Sequence, residues 1–165
     1  MSAAPSIADR LLYAYEQWHE TRGQSADLFL DLLADDVRLR SVLNPPELHP
    51  LADARVGIDR ARDYLTSLTV TMEMIDSPTH QLIVDGDTIV WVGSCRWRDR
   101  RTGREIATPK VDIWHFQGGK CVSLMEMYDT LGFARLSGLV GGTGRAAPDQ
   151  VGHADQLTPH PLVPM

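Results

Sequence analysis

Two acidic residues carry the sharpest chemical promise in this chain. Asp112 is flanked by Val111, Ile113 and Trp114, and Glu126 by Leu124, Met125 and Met127. A carboxyl in apolar surroundings resists ionising, and two neighbouring carboxyls push their titrations apart. One can then hold a proton at neutral pH and donate it while the other accepts one, which is the working pair of acid/base catalysis. Whether the two meet depends on the turn around Gln117-Gly118-Gly119. A three-residue turn pairs Phe116 with Lys120 and Asp112 with Leu124, so that Asp112 and Glu126 share a face one diagonal step apart. A two-residue Gly-Gly turn shifts the pairing by one and sends Glu126 to the opposite face. The structural alternative is a pair of rim carboxylates matched to Lys110 or Arg96.

Other candidates are weaker. Tyr13, Tyr15, Trp18 and His19 offer polar tips along one helix, where packing at the core edge is the plain reading. Cys95 points inward as filler, with no His placed to activate it. His80 faces the cavity if Asp85-Gly86 makes a two-residue turn and faces away if the turn has three. The six histidines form no i, i+4 pair, so no metal site is expected.

The elements that must position these residues are legible from periodicity. Ile7, Leu11, Tyr15 and Trp18 mark one face of a helix over 7–20, with Ser6 as N-cap and Asp9 completing a variant capping box. Ser25 caps a shorter helix bearing Leu28, Phe29, Leu32 and Leu33. A strand follows over Val37–Val42 and stops at Asn44-Pro45-Pro46, with a loop to residue 56. Ile58, Ala61, Leu65 and Leu68 mark a third helix. Stretches 70–84, 88–98, 105–116 and 120–130 read as strands separated by Gly-containing turns. Three helices followed by an antiparallel meander is an α+β layout with helices on one sheet face.

The 165 residues divide into a domain over 6–133 and a largely flexible extension over 134–165. Leu157, Leu162 and Val163 in that extension would have to serve any lid over the cavity. Val90 and Val92 are apolar on the strand face opposite Ile89, Trp91, Cys95 and Trp97, so the sheet reads as covered on both sides. Helices cover one side, and a second copy of the chain is expected on the other, as a homodimer. A formal charge of -6 argues against nucleic acid or an anionic membrane as partner. No apolar run reaches the roughly 20 residues of a membrane helix. The opening MSAAPSIADR lacks a secretory pattern, so a cytoplasmic location is expected. Arg96, Arg98, Arg100, Arg101 and Arg104 crowd one hairpin. They are a solvated loop or, alternatively, a dock for a carrier-bound substrate.

A-D-D-V at 34–37, V-G-I-D-R-A at 56–61, V-D-G-D at 84–87 and V-D-I-W-H-F…G-K at 111–120, in this order, resemble the nuclear transport factor 2-like superfamily. Its members include ketosteroid isomerases, SnoaL-like polyketide cyclases and epoxide hydrolases. The resemblance covers about residues 6–133 and implies a cone-shaped barrel. Three N-terminal helices pack on a strongly curved, mostly antiparallel sheet and enclose one deep apolar cavity. It places Asp112 where isomerases keep an oxyanion-donating aspartic acid, and Glu126 where cyclases have their acid/base aspartate. Tyr15 falls roughly at the isomerases' oxyanion tyrosine. The isomerase base position is Ser41, which cannot remove a carbon-bound proton, and the remaining epoxide hydrolase positions are Gly93 and Cys95. The implied catalytic set is therefore Glu126, Asp112 and Tyr15. The expected substrate lining is Trp18, Trp91, Cys95, Trp97, Trp114, Leu124 and Tyr128. The implied activity is cofactor-independent cyclisation, isomerisation or dehydration of a small apolar oxygenated compound, such as a polyketide, terpenoid or steroid-like molecule. The alternative is a non-catalytic ligand binder or dimeric adaptor of the same fold.

Overall fold

A computed structural model describes residues 4–43, 54–136 and 138 of the chain. Among these, α1 spans Ile7–Glu20, α2 Ala26–Leu30, α3 Ile58–Thr71 and α4 Thr130–Leu136. The strands are β1 Leu33–Ser41, β2 Arg55–Val56, β3 Met72–Asp76, β4 Thr79–Asp85, β5 Thr88–Asp99, β6 Glu105–Gln117 and β7 Lys120–Tyr128. They form one sheet in the order β2-β1-β7-β6-β5-β3, with β4 also paired to β5. All neighbours are antiparallel except β1 and β7, which run parallel. The helices and the curled sheet make an α+β cone whose inner face lines a cavity. Segment 44–53 and nearly all of the C-terminal extension, including Leu157, Leu162 and Val163, lie outside the described residues.

Local chemistry explains the helices. The Asp9 backbone N–H donates to Ser6 Oγ at 3.1 Å and the Ser6 N–H returns a bond to Asp9 Oδ2 at 2.9 Å, the reciprocal cap expected at the start of α1. Leu11, Ala14, Tyr15 and Trp18 form its buried face. Ser25 stands at the N-cap of α2 but makes no capping bond. Helix α3 runs further than its periodicity predicts, through Val70 and Thr71. Thr69 and Thr71 satisfy their hydroxyls on the carbonyls of Leu65 and Ser67, so these β-branched residues stay helical.

The predicted strand over 70–84 is thus the end of α3 followed by β3 and β4, broken at Ser77-Pro78. Both pieces lie along the same edge of β5, β3 pairing near Trp97 and β4 near Trp91. Gly93 sits at this break. A Cβ there would lie 2.3 Å from the Trp91 ring and 2.5 Å from the Pro78 carbonyl, so a hydrogen is all the site admits. The β4–β5 turn is the two-residue Gly86-Asp87 rather than Asp85-Gly86, which sets Leu82 opposite Trp91. The irregularity between Thr79 and Gln81 then turns His80 to the exposed outside, its Nε2 3.4 Å from Ser94 Oγ.

The β6–β7 hairpin decides the site. Gln117 pairs with Lys120, so the turn is the two-residue Gly118-Gly119, both at positive φ (56° and 80°) as a primed hairpin turn requires. On its own this register would put Glu126 outside. Phe116 pairs with Cys121 but His115 pairs with Ser123, so Val122 is an extra residue in a β-bulge. The bulge restores the parity, and Asp112 stands directly opposite Glu126 rather than diagonal to it.

On the outer face, Val90, Val92, Val111, Ile113 and Met125 are only half-buried, and Ile83 and Met127 are 44% and 39% exposed. The single chain therefore presents an apolar outer sheet surface.

Candidate active site

β6 carries Thr108, Lys110, Asp112 and Trp114 inward by simple alternation, and β7 carries Leu124, Glu126 and Tyr128 opposite them. Helix α1 lowers Tyr15 and Trp18 onto this floor, and α3 contributes Ala61, Tyr64, Leu65 and Leu68. The cavity between them holds about 110 Å³, several times the roughly 10–15 Å³ that one water needs. Every residue named from the sequence as catalytic or substrate-lining borders it. The aromatic and apolar members Trp18, Trp91, Cys95, Trp97, Trp114 and Leu124 are buried, and Tyr128 is half-buried.

At its centre the Lys110 ammonium bridges the two carboxylates. Nζ donates to both oxygens of Asp112 and, at 3.0 Å, to Glu126 Oε1. Each carboxylate also receives one tyrosine from a helix. Tyr15 donates to Asp112 Oδ2 at 2.6 Å, and Tyr64 donates to Glu126 Oε2 at 2.8 Å. Tyr15 is held in turn. Trp114 Nε1 donates to its hydroxyl at 2.9 Å, and its ring stacks on Trp91 with centroids 4.2 Å apart and planes 5° from parallel. Trp91 is fixed by donating to Thr79 Oγ1 at 2.9 Å. Ser41, on β1 opposite Glu126, lies 3.2 Å from the Tyr128 hydroxyl. Arg55 covers the outer side of the Tyr64 ring at 4.6 Å.

The electrostatics follow from burial. Desolvation, helped by the nearby Glu126 charge, holds Asp112 above the usual carboxylate range, against the opposing pull of Lys110 and Tyr15. Desolvation alone would depress Lys110, but Asp112 and Glu126 outweigh it and keep its pKa above that of an ordinary lysine. Tyr15 and Tyr64 are pushed far up by burial and then by the carboxylates they face. Burial lifts the Cys95 thiol to about 11, so it is a protonated filler at neutral pH.

Three features sharpen the expectations. The carboxylates are not at the rim, yet Lys110 does pair with both, while Arg96 is engaged elsewhere with Asp76 at 3.1 Å. Tyr15 commits its one proton to Asp112, so it supports that carboxylate and has none left for a ligand. The Arg hairpin is largely tied down. Arg98 bridges Glu73 at 3.0 Å and Glu105 at 2.6 Å, and Arg100 Nε donates to the Thr69 carbonyl. Sequence reasoning missed Lys110 as the centre and Tyr64 altogether. Lys110-Val111-Asp112 alternates as a strand must, which puts both charges on one face. Tyr64 follows Ala61 by three residues on the buried helix face.

The SnoaL-like domain family matches residues 14–124, a span that takes in the second half of α1, Tyr15, Lys110 and Asp112 and ends two residues before Glu126. The chain belongs to this family. No curated protein matches it in sequence. Among solved structures, this SnoaL-like chain is similar to an NTF2-like protein of unknown function from Burkholderia pseudomallei. That likeness has a TM-score of 0.69 at 23% identity over 81% of this chain and 98% of the other. It is also similar to TerC, crystallised with polyporic acid, with a TM-score of 0.65 at 19% identity over 79% and 96%. A protein from Mesorhizobium loti provisionally named a SnoaL-like polyketide cyclase gives 0.62 at 16% identity over 74% and 98%. At these identities the likeness establishes the NTF2-like fold. Among the described residues, no helix is long and apolar enough to cross a membrane.

Proposed function

We propose that this SnoaL-like protein is an acid/base enzyme acting on a small apolar oxygenated substrate, of polyketide, terpenoid or steroid-like type, free or carrier-bound. The observation that carries the reading is Glu126: a carboxylate in an apolar cavity, oriented by Tyr64 and Lys110, with 12% of its side chain accessible against 3% for Asp112. Glu126 takes a proton from a carbon beside a carbonyl. The C–H electron pair becomes a C=C bond and the carbonyl oxygen takes the negative charge. Glu126 then returns the proton to another carbon in isomerisation, or to the new alkoxide in an aldol-type cyclisation. Asp112 is the counter-charge that keeps Lys110 in place, and Tyr15 keeps Asp112 in place. Both charges needed come from side chains, so the scheme calls for no cofactor. The names of neighbouring structures, a polyketide cyclase and a polyporic acid complex, are consistent with this ligand class.

The test is Glu126→Gln on a substrate found through a ligand that co-purifies with the protein and is identified by mass spectrometry. The expected loss of turnover is about 10²–10⁴-fold with the fold unchanged. Wild-type turnover would sink the reading and favour a non-catalytic binder, whose supporting observation is that every carboxylate oxygen is already satisfied. We further propose that the outer apolar surface around Val90, Val111, Ile113 and Met125 seats a second copy of the chain. Sedimentation should give a dimer, and Val111→Asp should shift it to monomer.

A further inference from the structure

Among the described residues, the hydrogen-bond accounting of the cavity leaves one donor unspent and a second that can be redirected. Asp112 receives Tyr15 and Lys110, and Glu126 receives Tyr64 and Lys110, so neither tyrosine has a proton to offer a ligand. The two Asp112 oxygens subtend a narrower angle at Nζ than two N–H bonds of an ammonium, so one N–H serves both and a second serves Glu126. The third is free. Tyr128 is the other. Its hydroxyl meets Ser41 Oγ at 3.2 Å in a contact where either oxygen can donate. Ser41 Oγ also reaches the Leu43 carbonyl at 3.1 Å, and the Tyr128 proton turns to a ligand when Ser41 donates to Tyr128 instead. Lys110 and Tyr128 are direct partners across β6 and β7, and Tyr128 lies two residues beyond Glu126 on the same face. Both border the cavity.

We propose that Lys110 and Tyr128 form an oxyanion subsite beside Glu126, and that the substrate class is an enolisable carbonyl compound bound with its oxygen between them. The inference rests on the acid/base reading and deepens it: it names where the negative charge produced by proton removal is held. Lys110 supplies a full charge and Tyr128 a directed O–H in a mostly apolar cavity that screens them less than bulk water does. Burial raises the Tyr128 pKa while the Lys110 charge opposes the rise, which places the two groups in mutual electrostatic reach.

Charge balance sets the behaviour of a stable mimic. One ammonium against two carboxylates leaves a single negative charge, so a further anion enters at a penalty unless a proton enters with it. A phenol satisfies this by binding neutral and passing its proton to Glu126, whereas Glu126→Gln removes the competing charge outright. The experiment titrates 4-nitrophenol, whose anion is coloured, into the full chain across a pH series. In Glu126→Gln the bound probe should be ionised at pH values where the free probe is not, with its pKa lowered by about one unit or more, a tenfold preference for the anion. Tyr128→Phe in that background should cut the preference about threefold while binding of the neutral phenol persists. Lys110→Met should abolish it. Circular dichroism checks that each variant folds, and Tyr128→Phe decides the matter if Lys110→Met does not. Failure of the probe to bind at millimolar concentration, preference for the neutral phenol, or an anion preference indifferent to Tyr128 overturns the subsite. The acid/base reading falls separately, on undiminished turnover by Glu126→Gln.

Discussion

The two ends of the Lys110 cluster are built from the same parts and behave differently. Asp112 and Glu126 each bind Lys110, and each receives a tyrosine hydroxyl from a helix. At the Asp112 end, Tyr15 is clamped between the Trp91 ring and the Trp114 N–H, and the Asp112 side chain is 3% exposed. At the Glu126 end, Tyr64 comes from α3 with Arg55 over its ring, and the Glu126 side chain is 12% exposed. Residue type does not assign roles here. Enclosure separates them: the more buried Asp112 is placed to hold Lys110, and under the proposed function the more accessible Glu126 exchanges a proton with a ligand.

The sharpest way to break this contrast is to remove each carboxylate and measure stability. Asp112→Ala leaves Lys110 and Tyr15 buried without their main partner and should cost about 3–5 kcal/mol in urea denaturation, the usual cost of breaking a buried pair. Glu126→Ala should cost less, since water reaches the vacated site and Lys110 keeps Asp112. Equal losses would mean that the ends are equivalent.

Smaller changes test the tyrosines. Tyr15→Phe leaves Asp112 short of a donor and the Trp114 N–H without its acceptor, and should cost about 2 kcal/mol. Tyr64→Phe should cost about 1 kcal/mol or less but slow turnover, because it frees the Glu126 carboxylate to rotate.

The smallest effect expected is on pH dependence. Lys110, Tyr15 and Tyr64 are all held above their ordinary values, the first by its carboxylate neighbours against desolvation and the tyrosines by burial first. Groups raised in the folded state bind more protons folded than unfolded, so their stabilisation is complete below their ordinary pKa and is lost as pH rises past it. The denaturation midpoint should therefore fall above about pH 10. Tyr15→Phe and Tyr64→Phe should each flatten that decline, which guanidinium titrations at neutral and alkaline pH would read.

Much of the site is legible in the sequence. The alternation Lys110-Val111-Asp112 and the apolar flanks of Glu126 follow from strand geometry alone, and the α1 stripe places Tyr15 inward. Tyr64 was hidden because helix α3 carries an ordinary amphipathic pattern, in which an aromatic at a buried position looks like packing. The side on which Glu126 falls was undecidable locally. The Gly118-Gly119 turn points it outward, and the Val122 bulge, which has no signature in residue type, points it back.

Periodicity, capping and turn residues thus determined α1, most of α3, most of the strands and the α+β class, because each depends on neighbours within a few positions along the chain. Helix α4 is not among the expected helices, and Leu33, expected on the second helix, opens β1. The tertiary structure alone decided the parallel closure of β1 on β7, the break at Gly93 that seats Trp91, and the meeting of Tyr15, Tyr64, Lys110, Asp112 and Glu126. Those contacts join residues up to 97 positions apart. They are selected by burial of charge in a closed cone, a condition that no short stretch of sequence can express.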